Sequence, residues 1–142
     1  KESHTTRACA EKYPFIYPNA KLVRSGAIVS YSSDYPIVPL EPMLEIYHAV
    51  TRKDHSLSDT WNEQERVTLA EALKAYTLAS AYSVFRDHEL GTIESGKIAD
   101  IIVLDRNLFT VPEEEIRQAK VKLTIMDGKK VWSRSIVEEV VL

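Results

Sequence analysis

Gly26-Ala27-Ile28-Val29-Ser30-Tyr31-Ser32-Ser33-Asp34-Tyr35-Pro36-Ile37-Val38-Pro39-Leu40 is the stretch on which the fold turns. Its first four residues form a short apolar run that reads as a buried strand. Small hydroxyls and one carboxylate follow where that strand should stop. Pro36 and Pro39 end it, because neither can donate to a ladder. A carboxylate at the end of a buried parallel strand is where α/β folds place catalytic and metal-binding groups. Asp34 therefore has two readings, a reacting group or the cap of a turn ahead of Pro36.

The rest of the composition limits what surrounds it. A chain of 142 residues with 44% hydrophobic content is about one domain with a real core. A formal net charge of -3 leaves no basic footprint for nucleic acid and no reason to expect a membrane surface. His4, His48, His55 and His88 are scattered, without the HxH or HExxH spacing that holds a metal locally. Cys9 is the only cysteine, which excludes an intrachain disulfide and suits a reducing compartment. No apolar run is long enough to span a bilayer. The chain opens at Lys1 without Met, so its true N-terminus is expected upstream, with a cytoplasmic location as the default.

Outward from the Asp34 stretch, Lys1 to Lys12 reads as a polar lead-in, and Tyr13 to Asn19 as a packed loop broken by two prolines. Asn19 to Arg24 makes one helical turn with Leu22 and Val23 inward, ended by Gly26. Downstream, Glu41 and Pro42 open a helix whose Met43, Ile46, Tyr47 and Val50 face a core. Arg52, Lys53 and Asp54 close it with charge. His55 to Gln64 is a polar excursion pinned by Trp61. Thr68 and Glu71 have the capping-box spacing, and the helix they start runs to about Arg86. Leu69, Leu73, Tyr76, Ser80 and Val84 form its stripe, widened by Ala72, Ala75, Ala79 and Tyr82, which implies close packing.

Past Gly91 the pattern becomes strand-like. Ile98 to Asp105 is a β-branched run typical of a buried strand. Val111 to Ile116 suggests a short helical turn, with Glu113, Glu114 and Glu115 at its positive end as a solvated face. Asp127-Gly128 between two apolar runs is a two-residue hairpin signal. Ser133 to Leu142 is an apolar, acidic tail.

Several of these pieces together resemble the C-terminal part of an amidohydrolase-superfamily enzyme, most closely the group that includes formamide deformylases (amidohydrolase family 3). They are Gly26 to Val29 leading into Ser33-Asp34-Tyr35-Pro36, then Ala49-Val50-Thr51-Arg52, Thr68 to Phe85, Gly91 to Asp105, and Val121 to Val131. Gly91-x-Ile93-x-x-Gly96-Lys97-x-Ala99-Asp100 is the most specific of them.

What the resemblance implies is an α/β fragment. It would hold the last strand and helices of a (β/α)8 metal-hydrolase barrel, followed by the C-terminal part of a small β-sandwich. Residues 1–90 would be the barrel portion and 91–142 the sandwich strands. The implied chemistry is hydrolysis of an amide-type C–N bond in a small molecule by a metal-activated water. Asp34 would be both catalytic residue and metal ligand, with a divalent ion, expected to be zinc, as cofactor. The family's HxH motif and other metal histidines lie upstream in full-length enzymes, and no histidine here matches them. The chain is therefore expected to bind no metal and to be inactive alone. It would pair with a missing N-terminal segment or self-associate. A non-catalytic interaction module derived from the same fold is the alternative.

Overall fold

The computed structural model describes residues 10–53 and 59–134. Lys1 to Cys9, His55 and the tail beyond Arg134 lie outside them, and with them the expectations for the lead-in, for His4 and for the end of the tail. The described elements are α1 (Asn19–Arg24), α2 (Pro42–Thr51), α3 (Leu69–Tyr76), α4 (Leu78–Ser83), β1 (Ile101–Leu104), α5 (Glu113–Ile116), β2 (Val121–Met126) and β3 (Lys129–Ser133). The residues expected to form a loop after Lys12 begin as a 3-10 helix, Ala10–Phe15, which Pro14 tolerates.

The core lies between α2 and α3. Pro42 stands in the first turn of α2, where its missing N–H costs nothing. From there Ile46, Tyr47, Ala49 and Val50 point inward and are buried, with Met43 packed beside them. Ala20, Val67, Ala72 and Ile116 complete this cluster, so α1 and α5 both close onto α2. Burying a side chain such as Ile46 contributes about 1.5–3 kcal/mol.

The capping box forms as its spacing predicts. Thr68 Oγ1 accepts from the Glu71 N–H at 3.2 Å, and the Glu71 carboxylate accepts from the Thr68 N–H at 2.7 Å. The helix it starts is shorter than the periodicity suggests. It breaks at Thr77 (φ -118°, ψ -88°), so one helix expected to reach Arg86 is two, α3 and α4. Hydroxyls explain the break, since they offer the backbone other partners. Thr77 Oγ1 donates to the Leu73 carbonyl at 2.8 Å, and Ser80 Oγ to the Ala75 carbonyl at 2.9 Å. The alanines Ala72, Ala75, Ala79 and Ala81 are the buried ones, whereas Val84 and Tyr82 are exposed.

The sheet is a single antiparallel layer in the order β1-β2-β3. The hairpin turn places Asp127 at φ 49° and Gly128 at φ 71°, the two positive values of a type I′ turn. The Asp127 N–H donates to Asp100 Oδ1 at 2.8 Å, tying the turn to the entry of β1. Two strand expectations need correction. The run from Ile98 to Asp105 narrows to Ile101–Leu104, and Ile102 and Val103 are exposed rather than buried. Gly26 stands in a turn and Ala27 to Val29 join no sheet, with Ile28 56% exposed. A strand needs a ladder, and no described segment lies alongside to supply one.

The acidic turn α5 is not simply a solvated face. Glu113 takes Arg66, Glu114 takes Lys53 at 3.1 Å and Glu115 takes Arg106 at 3.1 Å, while Ile116 enters the core. Arg106 also holds Asp105 at 3.1 Å, and the Lys120 N–H donates to the same carboxylate oxygen at 3.0 Å. Together, and in that order of strength, they depress the Asp105 carboxyl to about 2. Its folded value is below its unfolded one, so the stability it confers is full above about pH 4 and fades as pH falls toward 2. The urea midpoint of the wild type should therefore drop more steeply than that of Asp105→Asn across this window. Parallel curves would refute the coupling.

Candidate functional site

The segment that carries Asp34 is aimed by α1. A carboxylate from elsewhere caps that helix. Glu65, fully buried, accepts the Lys21 N–H at 3.0 Å, and the Lys21 ammonium lies 3.4 Å from its other oxygen. Burial pushes the Glu65 carboxyl up. The Lys21 N–H and ammonium, with the Ala20 N–H, more than offset this and leave it below the usual carboxylate range. At the other end Gly26 turns the chain out at φ 86°, and its N–H donates to the Val23 carbonyl at 3.1 Å.

Beyond Gly26 the chain keeps strand periodicity without a ladder. Val29, Tyr31 and Ser33 are half-buried, while Ser30, Ser32 and Asp34 are exposed. Tyr31 faces inward, its ring edge-on to Tyr76 with centroids 6.0 Å apart. Burial pushes both phenols up, Tyr76 to about 12 with Glu45 and then Tyr31 adding to it, and Arg52 partly counters the rise at Tyr31. Both stay protonated at neutral pH. The Tyr31 hydroxyl and Glu45 Oε1 are buried with no hydrogen-bond partner among the described residues.

Asp34 ends this run. It is exposed, at φ 52° in the left-handed region, which Asp tolerates better than most residues. Its N–H reaches Ser32 Oγ at 3.4 Å, and its carbonyl accepts the Ile37 N–H at 2.9 Å across a turn containing the cis Tyr35–Pro36 bond. The backbone, rather than the carboxylate, closes that turn. In the same stretch of chain Ile28, Tyr35, Ile37 and Leu40 are apolar side chains that are 56–77% exposed.

Among the described residues no three His, Cys, Asp or Glu side chains come together as a metal-ligand set. His48 lies on α2 with its Nδ1 2.8 Å from the Lys53 carbonyl, and His88 is on an exposed turn. Catalytic zinc sites use three protein ligands, so the described residues do not complete such a site by themselves. A cleft of about 480 Å³ opens between Val50, Val67, Leu69, Leu108 and Ile116, with Arg66 and Glu113 across its rim. None of its lining residues belongs to the Asp34 turn.

Two side chains differ from what the sequence suggests. Glu65 directly follows the polar excursion and carries no sequence signal of burial, because its partner is 44 residues away. Arg52, read as a charged helix end, is 8% exposed and caps α2 in the left-handed conformation, with its guanidinium 4.9 Å from the Trp61 ring centre. The Trp61 anchor itself forms as expected. The Trp61 backbone N–H donates to the Arg52 carbonyl at 2.8 Å, closing the excursion with a bridge between Lys53 and Thr60.

Comparison with known proteins sets these residues in a family. A model of the Amidohydrolase family matches residues 3–132. The chain is similar to Protein LONG AFTER FAR-RED 3 of Arabidopsis thaliana, 30% identical over 93% of this chain and 22% of that protein. It is also similar to an N-substituted formamide deformylase of Arthrobacter pascens, 32% identical over 84% of this chain and 22% of that enzyme. An amidohydrolase from Thermotoga maritima shares its fold, with a TM-score of 0.62 at 22% identity, covering 81% of this chain and 25% of that one. The chain thus spans about a fifth of the length of the relatives it matches. Among the described residues no helix is long and apolar enough to cross a membrane.

Proposed function

This chain belongs to the Amidohydrolase family, and from that premise we propose that it is the C-terminal part of a metal-dependent enzyme that hydrolyses an amide-type C–N bond in a small molecule. Residues 1–90 would be the closing part of a (β/α)8 barrel and residues 91–142 the C-terminal strands of a small β-sandwich. The observation that carries the reading is the placement of Asp34. An exposed carboxylate, at a positive φ and not needed by its own turn, ends a segment that joins no sheet and carries several exposed apolar side chains. Backbone strain of this kind collects at functional positions.

A divalent ion, zinc by expectation, would supply a Lewis acid there and acidify the attacking water. Asp34 fits as one oxygen donor, and the remaining ligands would lie outside the described residues. Its own work is proton handling. The carboxylate orients a water toward the carbonyl carbon and takes its proton as the C–O bond forms. It then delivers that proton to the nitrogen as the C–N bond breaks, leaving an acid and an amine. The similarity to a formamide deformylase makes an N-substituted formamide the first substrate to try. The exposed apolar side chains of this stretch would be covered by the rest of the barrel or, in the chain alone, by a second copy.

The test is formate release from formanilide by the protein at its full natural length. Dialysis against a chelator should remove at least about tenfold of the rate and added zinc should restore it, since the ion lowers the pKa of water from 15.7 to near 7. The 142-residue chain alone should be inert. Hydrolysis undiminished by chelation would sink the metal-dependent reading, and full activity of the chain alone would sink the shared site.

A further inference from the structure

We propose that Tyr31 is the positioning residue for Asp34, its ring and backbone anchoring the extended segment that ends in that carboxylate. This deepens the reading of Asp34 as the proton-transfer group and rests on it. A general base must be held closely, because a misplacement of about 1 Å can cost on the order of 10²-fold in rate. Asp34 ends a segment without a sheet to hold it. Between Ile28 and Ser33, the described backbone hydrogen bonds to the rest of the chain reduce to one, from the Tyr31 N–H to the Ala75 carbonyl at 3.3 Å. The Tyr31 ring packs against the core cluster and edge-on to Tyr76, while one side-chain contact, Ser30 Oγ to Ser80 Oγ at 3.1 Å, reinforces it from the exposed side. The backbone bond, the Tyr76 ring contact and the Ser80 contact all reach α3 and α4 around their break at Thr77. That break brings the Ala75 carbonyl under two donors, the Ser80 hydroxyl and the Tyr31 N–H. Three residues of extended chain, roughly 10 Å, separate the anchor from the carboxylate.

The Tyr31 hydroxyl is buried without a partner among the described residues, so the ring rather than the oxygen does the anchoring. Tyr31→Phe and Tyr31→Leu therefore separate the two. In the 142-residue chain, ¹⁵N relaxation reads the order of each backbone amide. Tyr31→Phe should leave the Asp34 amide in the rigid range, about 0.85, while Tyr31→Leu lowers it below about 0.6 and leaves α2 unchanged. In the protein of full natural length, Tyr31→Leu should lower kcat on formanilide about tenfold or more with little change in KM, and Tyr31→Phe should restore it. A rigid Asp34 in Tyr31→Leu overturns the proposal, as does a loss of order spread evenly over α2 and α3. Should Tyr31→Leu fail to fold, Tyr76→Leu removes the stacking partner from the other side. The same local loss is then expected, and a rigid Asp34 is refutation. If Asp34 loosens as stated but Asp34→Asn still hydrolyses formanilide, the contact is structural only. The fault then lies with the catalytic reading, which the Asn variant identifies on its own.

Discussion

Asp34→Asn should lower kcat for C–N hydrolysis by about 10²- to 10⁴-fold, the usual contribution of a positioned general acid–base group, while KM stays within a few-fold. The substitution keeps shape and removes the negative charge, and with it the ability to accept a proton. It should also leave folding alone. The carboxylate is exposed, the turn is closed by the Asp34 carbonyl and N–H, and Asn accepts φ 52° as readily as Asp does. The urea midpoint should therefore shift by no more than about 0.5 kcal/mol in stability, as for a surface change away from any packing. Asp34→Ala would be a poorer choice, because alanine in the left-handed region adds strain of about 1 kcal/mol and mixes two effects. Steady-state kinetics and a denaturation curve on the same preparation decide it. An Asn variant that turns over as fast as the wild type would remove Asp34 from the reaction. A variant slow only because it is unfolded would show in the second measurement.

The capping box, the α2 face and the Asp127-Gly128 hairpin were legible in the sequence for one physical reason. Each is decided by residues within four positions of one another, where spacing and local geometry are the same thing. Elements that depend on distant partners were not. Gly26 to Val29 has the composition of a buried strand, but pairing requires neighbours that the described residues lack, so the segment joins no sheet and Ala27 and Ile28 stay exposed. The helix expected to run from Thr68 to Arg86 has unbroken apolar periodicity, and what divides it is hydroxyl chemistry at Thr77 and Ser80 that periodicity does not register. Glu65 is the clearest loss. Nothing in its neighbours marks it as the buried cap of α1, which is set by Ala20 and Lys21 far up the chain. Asp34 stood out in the sequence by its position after an apolar run, and the structure adds that it is exposed and not used by its turn. Its anchor at Tyr31 needed the fold, because the partner ring, Tyr76, is on another helix.

Gly91→Ala should destabilise the chain by about 2–5 kcal/mol, a large part of the roughly 5–15 kcal/mol that holds a domain together. Two separate costs add at this position. Its backbone is at φ 88°, a region that glycine enters freely and that costs an L-residue about 1–2 kcal/mol. A methyl group there would also stand 2.7 Å from the Leu78 Cα and 3.0 Å from the Ala81 Cβ. Neither atom is the far end of a flexible side chain, so α4 itself would have to move, and overpacking of that kind typically costs about 1–3 kcal/mol. Gly96 separates the two terms. It has φ 91° but open space where a Cβ would stand, so Gly96→Ala should lose only the backbone part, about 1–2 kcal/mol. The urea midpoints of the pair should differ accordingly, with Gly91→Ala the lower. The contact reaches further than stability, since α4 carries Ser80, which touches Ser30 on the Asp34 segment. If the two variants proved equally stable, the close approach of the loop to α4 would be wrong, and with it the idea that Gly91 is there to let that loop lie flat on the helix beside the candidate site.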